Sequence, residues 1–239
     1  MAIRTEHVVA GVAEVVLDVP PVNALPAAGF RELARVVRAV VLRSAVDRGF
    51  AAGVDVHEMR DGGPRAVIEV TRACADAYAA VDECGAPVVA AVHGFCLATG
   101  VGLVGGTDVV VAADDATFGL PEVDAGGLGT ATQLSRLVPE KKARWLAYSG
   151  TRVTATEVAR WGGVDTVVPR DELLATVRSV ATILAAKSPV VLRRARASLH
   201  AIDPVDARRS FRREMGLVFE LNLTPAPDEA RAAFVGRSE

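Results

Sequence analysis

Residues 93 to 123, HGFCLATGVGLVGGTDVVVAADDATFGLPEV, bring a glycine-rich turn, a short helix and one acid into a compact unit. Ahead of them, PVVAAVHG (87 to 94) is a β-branched run bounded by Pro87 and Gly94, which predicts a strand buried on both faces. Between Leu97 and Gly102 no side chain is both bulky and polar, so a ligand can approach the backbone and a helix can begin. The first N–H groups of a helix lack internal acceptors and the dipole there favours negative charge, so an oxyanion formed at that spot is stabilised. TDVVVAADDATF predicts a second buried strand, and Gly119, Leu120 and Pro121 turn the chain just before Glu122. With Leu120, Pro121 and Val123 around it, that carboxylate is poorly solvated. Desolvation penalises its charged form and moves its pKa toward neutrality, where a general acid or base works best. Backbone amides and one acid are enough for enolate chemistry.

Two other readings fit the same residues. GVGLVG (100 to 105) matches G-x-G-x-x-G, with Asp114 and Asp115 at the end of the next strand, as a dinucleotide-binding fold requires. That match fails on length, because only Gly106 and Thr107 separate Gly105 from the strand at Asp108. In the second reading the glycines serve helix packing alone and Glu122 caps a helix or sits in an ion pair.

The elements that must position these groups follow from periodicity. Strands are expected near 8 to 18, 38 to 44, 87 to 93, 108 to 113 and 164 to 168. Helices are expected near 27 to 37, 65 to 83, 98 to 106, 130 to 148, 154 to 161 and 171 to 187, with more from 189 to 222 and 227 to 235. Strands fill the first half and helices the last third, which suits an α/β core of strand-strand-helix turns with a helical tail. A chain of 239 residues that is 51% apolar buries one sizeable core.

Composition excludes several functions. Apolar stretches are interrupted by Asp, Arg, Gly or Pro before bilayer length, and the N-terminus lacks a secretion-signal pattern, so no membrane role is expected. Cys74, Cys84 and Cys96 cannot all pair and lack C-x-x-C spacing, which favours a reducing, cytoplasmic setting. A net charge of −2 shows no footprint for nucleic acid. Arg193, Arg194 and Arg196 form a local basic cluster, read as a solvated helix face or a phosphate contact. His7, His57, His93 and His200 are scattered, so no metal is expected, and His93 reads as a packed strand-end residue or a neighbour of the site. No G-x-S-x-G elbow and no P-loop occur.

The segments HGFCLATGVGL and DVVVAADDATFGLPEV resemble the enoyl-CoA hydratase/isomerase family, the crotonase superfamily. PPVNAL (20 to 25), FAAGVDVHEM (50 to 59), LSRLVP (134 to 139), SGTRVTATEVARWGGVDTVVP (149 to 169), AAKSPVVLRRARASL (185 to 199) and DEARAAFVGR (228 to 237) resemble its blocks in order. The resemblance implies a crotonase (ClpP-like) spiral over 1 to 185 and a C-terminal helical region, 186 to 239, covering the site and a trimer interface. It also implies an acyl-CoA substrate, no cofactor beyond the coenzyme A of that substrate, and a homotrimer or hexamer. One departure lies near 37 to 38, where the expected helix runs into RAVVLRS without a turn signal.

Position by position, the resemblance puts the oxyanion-hole amides at Val54 and Thr99; most relatives have Gly at the second, so the Thr99 side chain would narrow the acyl pocket. Asn23, Ala24, Leu25, Ala51, Ala52, Asp55 and Val56 resemble the wall that holds coenzyme A. His57 stands where many relatives have a Lys near a phosphate, and otherwise reads as a surface histidine. Family hydratases use two glutamates. Here Glu122 is present but Gly102 occupies the other position, so a single acid must either shuttle a proton from one carbon to another or orient water for attack on a β-ketone, and Gly102 leaves space for the substrate. Asp124 is a possible second acid if its segment is extended, since it would then share the side of Glu122; otherwise it caps the following turn.

FAAGVDVHEM, GFC, GVGLVG, DDATFGLPEVD, QLSRLVP and FELNL (219 to 223) together resemble an actinobacterial branch of the family acting in steroid ring degradation. There a CoA-linked bicyclic β-diketone is opened by water, a reaction that needs no Glu at 102. The expected function is therefore an enoyl-CoA hydratase/isomerase-type enzyme of lipid degradation. A CoA-linked cyclic β-diketone hydrolase and a non-catalytic CoA-ester-binding member are the alternatives.

Overall fold

Val89, Ala90, Ala91 and Val92 alternate between two separate cores, and so do Val110, Val111, Ala112 and Ala113. This is the pleat of strands covered on both faces, and it explains why these stretches are continuously apolar. The computed structural model describes residues 3–9, 12–25, 27–28 and 41–235. Its strands are β1 (Ile3–Val9), β2 (Val12–Leu17), β3 (Ala24–Leu25), β4 (Val41–Ser44), β5 (Gly49–Ala51), β6 (Gly53–Val54), β7 (Val89–Val92), β8 (Phe95–Leu97), β9 (Val109–Ala113), β10 (Thr117–Gly119), β11 (Val153–Thr154) and β12 (Thr166–Val168). Its α-helices are α1 (Val56–Asp82), α2 (Thr99–Val104), α3 (Ala131–Leu137), α4 (Glu140–Ser149), α5 (Ala155–Arg160), α6 (Leu173–Ala185), α7 (Pro189–Ile202), α8 (Ala207–Leu221) and α9 (Ala226–Val235).

A six-stranded sheet has the order β1-β2-β4-β7-β9-β12, antiparallel only at β1–β2. A second sheet, β11-β10-β8-β5, runs beside it, parallel except at β11. The chain visits the first sheet, steps to the second, then forms a helix, three times over: β4-β5 into α1, β7-β8 into α2, and β9-β10 into a 3₁₀ turn and α3. That repeat is the strand-strand-helix spiral. Leu173, Val177 and Ala181 of α6 cover the outer face of the large sheet.

Several expectations shift in detail. The strand expected at 8 to 18 is the hairpin of β1 and β2, and the helix expected at 130 to 148 is broken at Pro139 into α3 and α4. Helix α1 begins at Val56, nine residues before the expected start, with a break at Gly63, whose φ is 58°, followed by Pro64. Of the helix expected at 27 to 37 only residues 27–28 are described, and they are helical; the rest of it and the join at 37 to 38 lie outside the described residues. Arg193 and Arg194 are exposed, but Arg196 is not part of a solvated face. It is buried, ion-paired to Asp108 at 2.9 Å, and donates to the carbonyls of Val81, Asp82 and Cys84, closing the C-terminus of α1.

Candidate active site

Two backbone turns meet beside the second sheet. Asp55 N–H donates to Leu25 O at 3.3 Å, so the alternation of paired strands β3 and β6 turns the preceding amide, that of Val54, to the opposite edge. Facing it, Ala98 N–H donates to Gly119 O at 3.0 Å and the chain bends at Ala98, with φ 49° and ψ −112°, into α2. Thr99 is the first residue of that helix, so its amide has no acceptor within it. The turns touch: a Cβ on Gly53 would lie 3.1 Å from Ala98 Cβ, and one on Gly100 only 2.7 Å from Ala51 O. Backbone conformations such as that of Ala98 cost about 1–3 kcal/mol in a residue with a side chain. The strain sits on the peptide that aims the Thr99 amide. Val54 and Thr99 line one cavity of ≈ 120 Å³.

Glu122 lines the same cavity from a 3₁₀ turn, Pro121–Ala125. Pro121 pre-sets the first φ of that turn, and Gly126, with φ 68°, ends it under Pro227 and Ala230 of α9, where any side chain would collide. The Glu122 carbonyl accepts from Gly127 N–H at 2.7 Å. Its carboxylate Oε2 is buried without a hydrogen-bond partner. Burial pushes the Glu122 pKa up to about 8; its own backbone amide opposes the shift and the nearby Glu214 charge adds to it. Glu214, from α8, is fully engaged, accepting from Ala131 N at 2.7 Å, Thr132 N at 3.2 Å and Thr132 Oγ1 at 2.7 Å, so it caps the start of α3.

Asp124 does not join Glu122. In a 3₁₀ turn successive side chains are 120° apart, so residues two apart diverge, whereas the shared face applies to a strand. The exposed Asp124 carboxylate lies against Gly150 at the end of α4. Gly102 leaves no room for substrate either: a Cβ there would lie 2.3 Å from Tyr78 Cζ. The Tyr78 ring, 4% exposed and edge-on to Phe211 at 5.0 Å, fills the place from which a side chain at 102 would project. Thr99 is buried beside this cluster, near the Cys74 thiol and the Tyr78 hydroxyl, and Thr130 lies near the Tyr78 hydroxyl as well. Burial pushes the Cys74 thiol up to about 12 and the Tyr78 hydroxyl well above its usual value, so both stay neutral and neither is a nucleophile.

Of the residues expected to form the coenzyme A wall, Val56 lines the cavity. Asn23 is buried at φ 50° with its side chain committed: Nδ2 donates to Ser44 Oγ and Phe50 O, both at 2.7 Å, and Oδ1 accepts from Val19 N at 2.7 Å. It staples the loop before β3 to β5. Leu25 and Ala51 are buried, while Ala24 and Ala52 are half-buried. Asp55 caps α1, accepting from His57 N at 2.9 Å and Glu58 N at 3.2 Å; the His57 side chain is exposed. His93 is held on Val46 O at 2.9 Å, away from the cavity.

The remaining wall was not anticipated from sequence. Met59, Val70, Leu128, Phe211 and Val218 make it apolar, and Asn222 and Arg231 bring polar groups to it from the C-terminal helices. A signal for Arg231 exists: it lies four residues after buried Pro227, on the inner stripe of α9, where an apolar residue is the norm.

Residues 7–218 match the family described as enoyl-CoA hydratase/isomerase. The chain belongs to that family of acyl-CoA enzymes and has the crotonase fold. Among relatives, a (7aS)-7a-methyl-1,5-dioxo-2,3,5,6,7,7a-hexahydro-1H-indene-carboxyl-CoA hydrolase of Rhodococcus jostii is 49% identical over 94% of this chain and 91% of its own length. A hydrolase of the same name from Mycobacterium tuberculosis is 48% identical over 95% of this chain and 96% of its own. The crystal structure of an enoyl-CoA hydratase/isomerase from Xanthobacter autotrophicus superposes with a TM-score of 0.86 at 26% identity, covering 100% of this chain and 94% of that one.

Proposed function

We propose that this enzyme adds water across a carbon-carbon bond of a CoA-linked cyclic β-diketone; its Rhodococcus and Mycobacterium relatives are named as hydrolases of a dioxo-hexahydroindene carboxyl-CoA, which supports the reading. The observation that carries the reading is the single acid of the cavity. Among the described lining residues Glu122 is the only carboxylate, and the Tyr78 ring fills the space from which a second would extend at Gly102. Water addition to an enoyl thioester by paired glutamates therefore lacks a partner.

In the proposed mechanism Glu122 takes a proton from water as its oxygen attacks a ring ketone. The tetrahedral alkoxide collapses to a carboxylic acid, and the C–C bond to the carbon conjugated with the thioester breaks. Its electron pair becomes the thioester enolate, whose oxygen is held by the amides of Val54 and Thr99. Glu122 then returns the proton to carbon. Net, one water is consumed, and the new acid passes its proton to solvent before release, leaving a bound carboxylate. Coenzyme A, as part of the substrate, would run along Asn23–Leu25, Ala51–Ala52 and Asp55–His57, and no further cofactor is needed.

We also propose a cytoplasmic homotrimer or hexamer. The exposed apolar residues Ile183, Val190, Val191, Leu199 and Ile202 of α6 and α7 support an assembly. The buried thiols of Cys74, Cys84 and Cys96 support a reducing compartment, and among the described residues no single helix is long and apolar enough to cross a membrane.

Incubation with the dioxo-hexahydroindene carboxyl-CoA, crotonyl-CoA and a 3-enoyl-CoA, followed by mass, tests this. The expected result is a gain of one water with ring opening on the first ester only. Water added to crotonyl-CoA without cleavage, or a shifted double bond without mass change, would replace the reading with hydratase or isomerase. Glu122→Gln should keep binding of the CoA ester and lose turnover by about 10²-fold or more.

A further inference from the structure

The cavity that holds Glu122 has a second charged group with no part in the steps above. Arg231, on α9, is 6% exposed and is the only Lys, Arg or His among the described residues that line it. The cavity that it lines is walled in large part by Val54, Val56, Met59, Val70, Phe211 and Val218. Bringing a guanidinium out of water into such a wall is unfavourable unless oxygens there accept its protons. The protein supplies two, both to one nitrogen: Arg231 Nη2 donates to Asn222 Oδ1 at 3.0 Å and to Asp228 Oδ1 at 2.7 Å. Asp228 has 82% of its side chain exposed and so gives a solvent-screened pairing, not a buried counter-ion. Asn222 is itself fixed, donating through Nδ2 to Val218 O at 2.8 Å. Both bonds fall on Nη2, so Nη1 and Nε have no acceptor among the described residues and remain available to a ligand in the cavity that Arg231 lines.

We infer that Arg231 is the specificity-determining residue for the far end of the acyl group, where it receives an oxygen of the substrate and then the carboxylate made when the ring opens. This rests on the hydrolase reading for the identity of that oxygen, though not for the existence of the anion site. Water attack turns a neutral ketone into a carboxylate, so the preference of a cation at that end rises as the reaction proceeds. A saturated or enoyl chain of a simple fatty acid offers no acceptor there and would leave the guanidinium facing hydrocarbon. Asn222 is a positioning residue, holding the guanidinium while its own amide is tied to α8.

The test measures binding of succinyl-, glutaryl- and adipyl-CoA against butyryl-, valeryl- and hexanoyl-CoA by calorimetry, each pair differing by a terminal carboxylate. Wild type should prefer the carboxylate at one or more chain lengths by about tenfold, the scale of one charge-assisted hydrogen bond. Arg231→Met should lose that preference while its affinity for the monocarboxylic esters changes less than about twofold, and Arg231→Lys should recover part of it. Circular dichroism on each variant checks that α9 still packs. No preference in wild type at any length, a preference that survives in Arg231→Met, or an equal loss for both members of each pair would overturn the inference. Ring opening by wild type is scored separately. If the ring opens while Arg231→Met keeps the wild-type KM for that ester, the inference fails and the hydrolase reading stands; an Arg231-dependent preference without ring opening gives the reverse.

Discussion

Glu122 owes its proton affinity to its place in the chain. Pro121 and Gly126 hold it on a tight turn, and the buried Oε2 finds no donor among the described residues. With its pKa pushed up to about 8, the acid is protonated in the free enzyme at neutral pH, and the proposed base is the ionised form. The sign follows directly: kcat/KM for ring opening should rise with pH through about 8 and level off above it, since kcat/KM reports the free enzyme. A stopped-assay profile from about pH 4 to 9.5 reads this. A rising limb near 4.5, the ordinary glutamate value, would mean that the cavity solvates the carboxylate after all. Asp124 illustrates how much depends on local geometry, because two residues of 3₁₀ turn suffice to send it to Gly150 while Glu122 enters the cavity.

At the scale of elements, α1 and α2 pack so closely that Gly102 meets the Tyr78 ring directly. That contact sets how α1 packs on the helix whose first amide is proposed to hold the enolate. Gly102→Ala should therefore cost about 1–3 kcal/mol by overpacking against a rigid aromatic ring. In a Tyr78→Ala background the same change should cost close to nothing, and a double-mutant cycle by urea unfolding reads the difference. Additive effects would mean that the ring yields without strain. The strands around this contact were only partly legible in sequence. β7 and β9 announce themselves because both faces are buried and the apolar run is continuous. Two- and three-residue strands such as β3, β6 and β11 are too short for a period of two to register. The glycine and acid of the site were legible because backbone approach and desolvation are local properties. Tyr78 and Glu214 were not, because each matters through partners that only the fold brings near: Glu214 meets Thr132 across 82 residues.

The whole molecule depends on the large sheet staying joined to the helix that covers its outer face, and one buried acid ties the two. Glu14, on β2, has no exposed side-chain surface; it accepts from Arg43 Nε of β4 at 2.6 Å and from Arg178 Nε and Nη2 of α6 at 2.7 and 3.3 Å. Burial alone would raise its pKa, but the hydrogen bonds from Arg178 and Arg43 outweigh it and the net shift is downward. Removing the charge strands Arg178, which is about a third exposed and partly rehydrated, while Arg43 keeps its ion pair with Glu6 at 2.8 Å. Glu14→Gln should thus cost about 3 kcal/mol, the lower end for breaking a buried pair, with activity per folded molecule retained because the site lies on the other core. The depressed pKa sets the pH window. The stabilising contribution of Glu14 is complete above the unfolded value of about 4.3 and is lost as pH falls through the lower folded one. Denaturant melts of the two proteins should therefore differ by a constant amount from pH 8 to 5 and converge below about pH 4. A gap that widened toward acid would show that a carboxylate other than Glu14 ties this helix to the sheet.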